Sequence, residues 1–535
     1  MKSIEIPLVK DRTKLYRRFE MLPGIMSWTL LATPAILSII SPTIAAYFII
    51  AYLLIWFIKA VGLNIRVVQG HKMLNTHMAY DWQKMVHELD YPKQALSRYE
   101  EGINPQWHYK NLINAEVVHN KFSQKMLYHA VIIAVYNESV EIIEPTIQSV
   151  IKSQYDTKHL MVIIAYEQRG GAEVEKTVKD LVDKYSSHFY IMEAICHPDD
   201  IPNEVIGKGG NITYSGWWLK NYLDNEGFEY ENIIVTTLDA DNKPHPQYFS
   251  ALTYAYIACP DVIHTSFQPV PIFTNNIWDV PAPMRVIATG NSFWNIVLSL
   301  RPHMLRNFAS HAQSMQTLVD TNFWSVRTIV EDGHQFWRTY FRYDGKHEVH
   351  PIMVPIYQDA VLSSSYTKTL KAQFVQVRRW AWGASDIAYV LWTGWHKKNH
   401  VPKLDLFFKT SRLMEGHLSW ATAPLLLLLG AFVPLYIAPH SNMSLVANQL
   451  PIIASRIQTV AMIGLFISIY YSIKLLPPKP PRYKFHKHLW MLLQWLYMPI
   501  TTIFYGSFAA LYSQTRLMIG KYLGKFDVTD KVVKK

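Results

Sequence analysis

Residues 232–246 read NIIVTTLDADNKPHP. From Ile233 to Leu238 the residues are apolar or β-branched without alternation, and the run stops at Asp239-Ala240-Asp241. An unbroken run of this kind marks a strand buried on both faces, and the acidic triplet then stands at its carboxyl end. Two carboxylates one residue apart can reach one hard cation while a bound diphosphate fills the remaining positions, as Mg²⁺ or Mn²⁺ requires. Acidic pairs in loops are usually only solvated, so the weight of this one depends on its surroundings.

Upstream, Ala130–Ser139 reads AVIIAVYNES, another apolar strand, which delivers Asn137 and Glu138 at its end. A helical period runs through Val140 to Ile151, and a second strand follows in LMVIIAYEQRGG, Leu160–Gly171, with Glu167 near its end. Strand, helix, strand at this spacing is a βαβ unit, whose ligands bind beyond the carboxyl ends of the strands. Alone, Glu138 reads equally as a solvated turn carboxylate. Between the second strand and the DAD strand, Gly207-Lys208-Gly209-Gly210-Asn211 offers a cation and open backbone suited to phosphate or sugar. The GxxxxGK[ST] loop of nucleoside triphosphatases is absent.

Downstream lies WSVRTIVEDGHQFW, in which Glu331-Asp332 follows Ile329-Val330. A sugar acceptor hydroxyl needs a carboxylate within hydrogen-bond reach to take its proton, but an acidic pair also suits any helix N-terminus. Gln376, Arg379 and Trp380 fall in LKAQFVQVRRWAWGASD, which reads as a helix. Arg379 can pair with a diphosphate and Trp380 can stack on a sugar face; a basic, aromatic helix lying in a membrane interface has the same composition.

Composition places these motifs in a membrane context. Of 535 residues 50% are hydrophobic and 17% charged, against roughly 25% charged in soluble domains. The net charge of +11 gathers beside apolar segments and not in a basic arm or finger, so nucleic acid is not an expected partner. Cys196 and Cys259 are the only cysteines; they form no CxxC or Cys/His cluster, which leaves no zinc site or disulfide framework to expect. Pro23–Leu63 is long enough for two crossings with a turn near Ser41-Pro42, and the apolar run is too long for a signal peptide. His417–Ala438, Pro451–Lys474 and part of Leu489–Gly520 extend the count to about five or six spans, with Pro499 able to split the last stretch. The basic N-terminus and the loop KPPRYKFHKH, 479–488, place the central region in the cytoplasm.

Taken in order, YNE, GKGGN, DAD, VED and QVRRW, flanked by apolar hairpins, strongly resemble the membrane-bound family 2 glycosyltransferases, such as the cellulose and hyaluronan synthases. The resemblance covers about 130–383 in motif. It implies an α/β GT-A domain over 129–383, a basic N-terminus (1–22), a transmembrane hairpin (23–63), a helical linker (64–128), interfacial helices (384–416), C-terminal transmembrane helices (417–520) and a basic tail (521–535). It further implies a multi-pass cell-membrane enzyme with its catalytic domain in the cytoplasm, inverting transfer from a nucleotide-sugar (a UDP-sugar favoured), and a glycan or lipid acceptor. In that frame Glu138, Glu167, Lys208, Asn211, Asp239 and Asp241 face the donor, and Asp239 and Asp241 hold Mg²⁺ or Mn²⁺. Asp332 is the base, and Glu331, Gln376, Arg379 and Trp380 lie at the acceptor and diphosphate. The chain departs from the family at Glu167, where Asp is usual, and at Val330, where Thr is usual. Phe526–Lys531, FDVTDK, resembles a gating segment, with Asp530 in place of Pro. Processive polymer synthesis is the expected activity; single-sugar addition to a lipid or glycan, a catalytically silent scaffold and a transporter are its rivals.

Overall fold

The computed structural model describes residues 4–99, 105–118, 120–437, 444–484, 486–524 and 532. The FDVTDK segment lies outside them.

Eight strands form one mixed sheet in the order β3-β2-β1-β4-β7-β6-β8-β5. They are β1 (Tyr128–Val135), β2 (Leu160–Glu167), β3 (Ile191–His197), β4 (Ile233–Asp239), β5 (Lys243–Pro244), β6 (Thr265–Phe273), β7 (Ala312–Ser314) and β8 (Glu348–Gln358). β1 pairs in parallel with both β2 and β4, so that Ala134 stands beside Ala165 on one side and Asp239 on the other. Strand order reverses between β1 and β4, and this is where an open α/β sheet leaves a crevice.

The non-alternating pattern of β1 follows from its burial. Val131, Ile133 and Val135 join a core formed with Ile142, Ile143 and Ile147 of the Val140–Ile151 helix. Ala130 and Ile132 point to the opposite face, against Ile212 and Leu219 of the Lys208–Glu226 helix and Trp324. Helices on both faces therefore fix the register that lines up the ends of β1, β2 and β4.

Among the described residues, four helices are long and apolar enough to cross a bilayer: Lys14–Ile40, Pro42–Ala79, Lys403–Ile437 and Leu445–Lys474. The first begins where the Thr13 side chain accepts from Tyr16 N at 3.2 Å. It ends at Ser41, whose extended backbone (φ −161°) precedes Pro42 at the start of the second helix. That helix continues past Leu63 to Ala79, because nothing between them breaks it; Asp81 then caps a new helix by accepting from Lys84 N at 3.0 Å. Likewise no break separates 403–416 from the apolar segment after it. The stretch 486–518 is a succession of short helical pieces, among them Met498–Thr501, which contains Pro499, and a π-helix at Thr502–Ser507. Only 6% of the apolar window of Leu445–Lys474 is buried within the chain, and Ile463 and Phe466 stand exposed. A large apolar surface of this kind is covered by something other than water.

Candidate active site

A cavity of about 1900 Å³ opens at the carboxyl ends of β1, β2 and β4 and continues between the apolar helices. Glu138, Glu167, Lys208, Asn211, Asp239, Asp241, Glu331, Asp332, Gln376, Arg379 and Trp380 all line it.

Lys208 is at its centre. Its ammonium lies 2.9 Å from Asp239 Oδ1, 3.5 Å from Asp332 Oδ1 and 3.8 Å from Glu331 Oε1. The lysine that the sequence offers for a phosphate or sugar bridges the DAD and VED motifs. Burial opposes its charge, but Asp239, Asp332 and Glu331 outweigh that and hold it protonated. Backbone packing brings it there, since a Cβ on Gly209 would stand 2.5 Å from the Ser325 carbonyl oxygen. Glycine is the residue that permits this approach between the start of the Lys208–Glu226 helix and the 325–332 segment.

The four acidic groups differ. Asp241 is buried, and its Oδ2 accepts from Asp359 N at 2.9 Å. Asp239 and Asp332 keep side-chain exposures of 36% and 21% toward the cavity, so both remain accessible to a ligand. Burial first, and then the charge of Asp332, push the Glu331 carboxyl upward, against the pull of Lys208. Glu331 therefore tends to hold its proton, and Asp332 stands beside it in the first turn of the Glu331–Arg342 helix.

His311 lies 3.8 Å from Asp332 through Nδ1, yet it forms no ion pair with it. Its Nδ1 donates to the Phe308 carbonyl at 2.9 Å and its Nε2 accepts from Trp324 Nε1 at 3.2 Å. Those two bonds fix a neutral ring, and burial lowers its basicity in the same sense.

Around the rim, Glu138 turns back to accept from Tyr136 N at 2.8 Å. Asn211 spends its amide on the strand ends, donating to Ala165 O at 2.8 Å and Val135 O at 3.3 Å, so it holds β1 and β2 in place. Glu167 contacts Arg169 and lies 3.7 Å from His197 Nδ1, whose Nε2 is 3.0 Å from Glu204. Burial lowers the basicity of His197, but the carboxylates of Glu167 and Glu204 beside it outweigh that and raise its pKa to about 9. On the far wall the Trp380 ring lies 6.1 Å from that of Phe273, and Gln376 accepts from Gln373 at 3.2 Å.

Asp239 and Asp332 flank the Lys208 ammonium, and Asp239 and Asp241, one residue apart at the end of β4 and both on the cavity wall, are the kind of carboxylates that hold a divalent cation. Among the described residues no group of three or more His, Cys, Asp or Glu side chains is gathered to hold an ion unaided. Asp239 and Asp241 would thus hold it together with oxygens of a ligand.

Sequence reasoning did not find His311, Asp359 or the His197–Glu204 pair. Asp359 acts through its backbone N–H, which leaves no signal in residue type, and the histidines lie in stretches without motif character.

No protein-family model matches the sequence, and no curated protein matches it. Among solved structures, a mannosyltransferase from Pyrobaculum calidifontis in complex with GDP-Man and Mn²⁺ is 13% identical, with a TM-score of 0.40 over 73% of this chain and 99% of that one. S. aureus TarS 1-349 in complex with UDP-GlcNAc is 11% identical, with a TM-score of 0.35 over 74% of this chain and 93% of that one. GalNAc-T7 with UDP, GalNAc and Mn²⁺ is 12% identical, with a TM-score of 0.31 over 55% and 57%. Likenesses this distant assign no family, and the functional conclusion rests on the side chains described above.

Proposed function

We propose that this chain is a membrane-embedded, inverting glycosyltransferase that moves a sugar from a nucleotide-sugar to an acceptor hydroxyl at the cytoplasmic face. The observation that carries this reading is Lys208, which ties the strand-end Asp239 to Asp332 across 2.9 and 3.5 Å in a cavity whose far wall holds Arg379 and Trp380. Donor-side and acceptor-side groups are thereby fixed relative to each other, as in-line displacement demands.

In the proposed reaction Asp332 accepts the proton of the acceptor hydroxyl. The new bond to the anomeric carbon forms as the bond to the diphosphate oxygen breaks on the opposite face, so the configuration inverts. Glu331, protonated, leaves Asp332 as the base. A Mg²⁺ or Mn²⁺ ion on Asp239 and Asp241 would supply charge neutralisation for the departing diphosphate. Arg379 faces the same diphosphate, and Trp380 stacks on the acceptor sugar. Because the cavity continues between apolar helices, past Trp420, Leu427 and Trp495, a growing polymer has a way out, which favours processive synthesis. The same apolar walls support a second reading, single addition to a lipid-linked acceptor.

The direct test incubates detergent-purified protein with a panel of UDP-, GDP- and dTDP-sugars and Mn²⁺, and detects released nucleoside diphosphate. Turnover with at least one donor is expected; none with any donor would sink the reading.

A further inference from the structure

The cavity has a second polar region that the transfer chemistry does not use. Arg66, Arg301, His303 and Arg412 line it. They come from the Pro42–Ala79 helix, the turn after the Ala282–Ser299 helix, and the Lys403–Leu429 helix. These pieces are tightly packed: a Cβ on Gly70 would stand 2.3 Å from Ile296 Cγ2, and Arg412 Nη1 donates to the His303 carbonyl at 3.1 Å.

Among the described residues none of the three guanidiniums is ion-paired with a carboxylate. Arg66 donates to the Gly62 carbonyl at 3.0 Å, and Glu415, an acid on the same wall, is taken by Lys59 at 2.6 Å. Burial, then Arg66 and Arg412, depress the basicity of Arg301; burial, then Arg412 and Arg301, depress that of His303. Like charges gathered in one pocket wall are held at a cost that an anion relieves. Beside them the cavity is lined by Ile58, Leu63 and Trp294, which are exposed to whatever surrounds the helices. A cationic end on an apolar wall matches a phosphate head with a hydrocarbon tail better than it matches a small soluble anion.

We propose that Arg66, Arg301 and Arg412 bind the phosphate group of an anionic lipid whose chain lies along Ile58, Leu63 and Trp294 at a side entrance of the cavity. The proposal rests on the membrane reading above and is independent of the sugar chemistry.

The test uses the full-length protein in nanodiscs of phosphatidylcholine with a minority of phosphatidylglycerol, and native mass spectrometry of the lipid retained after release. Wild type should retain phosphatidylglycerol in preference to phosphatidylcholine. Arg301→Gln/Arg412→Gln should bind it about ten-fold more weakly, the loss expected for charge-assisted hydrogen bonds, and Arg301→Lys/Arg412→Lys should recover much of the difference. Inorganic phosphate at the same concentration should not displace the lipid. Equal retention by the glutamine variant, or displacement by inorganic phosphate, overturns the proposal. If the double variant does not fold, single Arg412→Gln on an exposed side chain carries the same comparison. Carbonate extraction of native membranes separates the two readings: release of the chain removes the membrane reading, whereas a retained chain with no lipid preference removes only this site.

Discussion

The ammonium of Lys208 lies 2.9 Å from Oδ1 of Asp239, which makes the lysine a counter-ion shared by two motifs that are far apart in sequence. Removing it leaves Asp239, Glu331 and Asp332 without their shared counter-ion. Lys208→Met should therefore lower stability, because a buried cation and the counter-charge it supplies to partly exposed carboxylates are both lost, and should abolish transfer. Thermal unfolding in detergent checks the first expectation and nucleoside diphosphate release the second. Unchanged values for both would remove Lys208 from the site.

Asp332 and Asp241 should separate cleanly. Asp332→Asn keeps the groups around the DAD motif, so donor and Mn²⁺ binding should stay near wild type while transfer falls about 10²- to 10⁴-fold, the usual loss of a general base. Asp241→Asn, which alters the group fixed by Asp359 N, should weaken donor and metal binding together. Titration calorimetry with donor and Mn²⁺, alongside turnover with and without EDTA, distinguishes them. An Asp332→Asn enzyme within a few-fold of wild type would shift the base assignment elsewhere.

The Glu167–His197–Glu204 cluster predicts a pH effect on stability. The folded pKa of His197, about 9, lies above its unfolded value near 6.5. Its contribution is fully present below about pH 6.5 and is lost as pH rises through 9. Its size is on the order of 3 kcal/mol by the conversion from pKa to free energy. Wild type should lose thermal stability relative to His197→Gln between pH 6.5 and 9, and parallel melting curves across that window would contradict the cluster's charge state.

How much was legible in the sequence depended on burial pattern and on reach. β1, β2 and β4 were readable because strands covered on both faces carry unbroken apolar runs. β6 and β8 were not: they contain Pro269, Pro271, Pro351 and Pro355, residues that normally disqualify a paired strand. In the fold the two strands pair in parallel, and the register shifts between Pro269 and Val270. The acidic motifs were visible one at a time. That Lys208 joins them was not, because the contact closes a loop from 208 to 332 that no local spacing records. Asn211 carried the same ambiguity: an amide in a glycine-rich loop suits a ligand, and only the strand ends at Val135 and Ala165 reveal what it holds.

Trp380 offers a test between polymer and single addition. It lines the cavity on the helix Tyr366–Ala381, near Phe273, where the space passes from the carboxylates toward the apolar helices. An aromatic face on a pyranose contributes roughly 1 to 2 kcal/mol, by analogy with aromatic pairs, and such a contact governs how long a product stays more than how fast a bond forms. If the chain is a synthase, Trp380→Ala should shorten or abolish polymer while donor hydrolysis to water remains measurable, because Lys208, Asp239 and Asp241 are untouched. If it adds one sugar, wild type should release singly extended product at every donor concentration. Size analysis of radiolabelled product from wild type separates these outcomes, and uniform single addition would rule out the polymer reading while leaving Asp332 and the DAD motif in their roles.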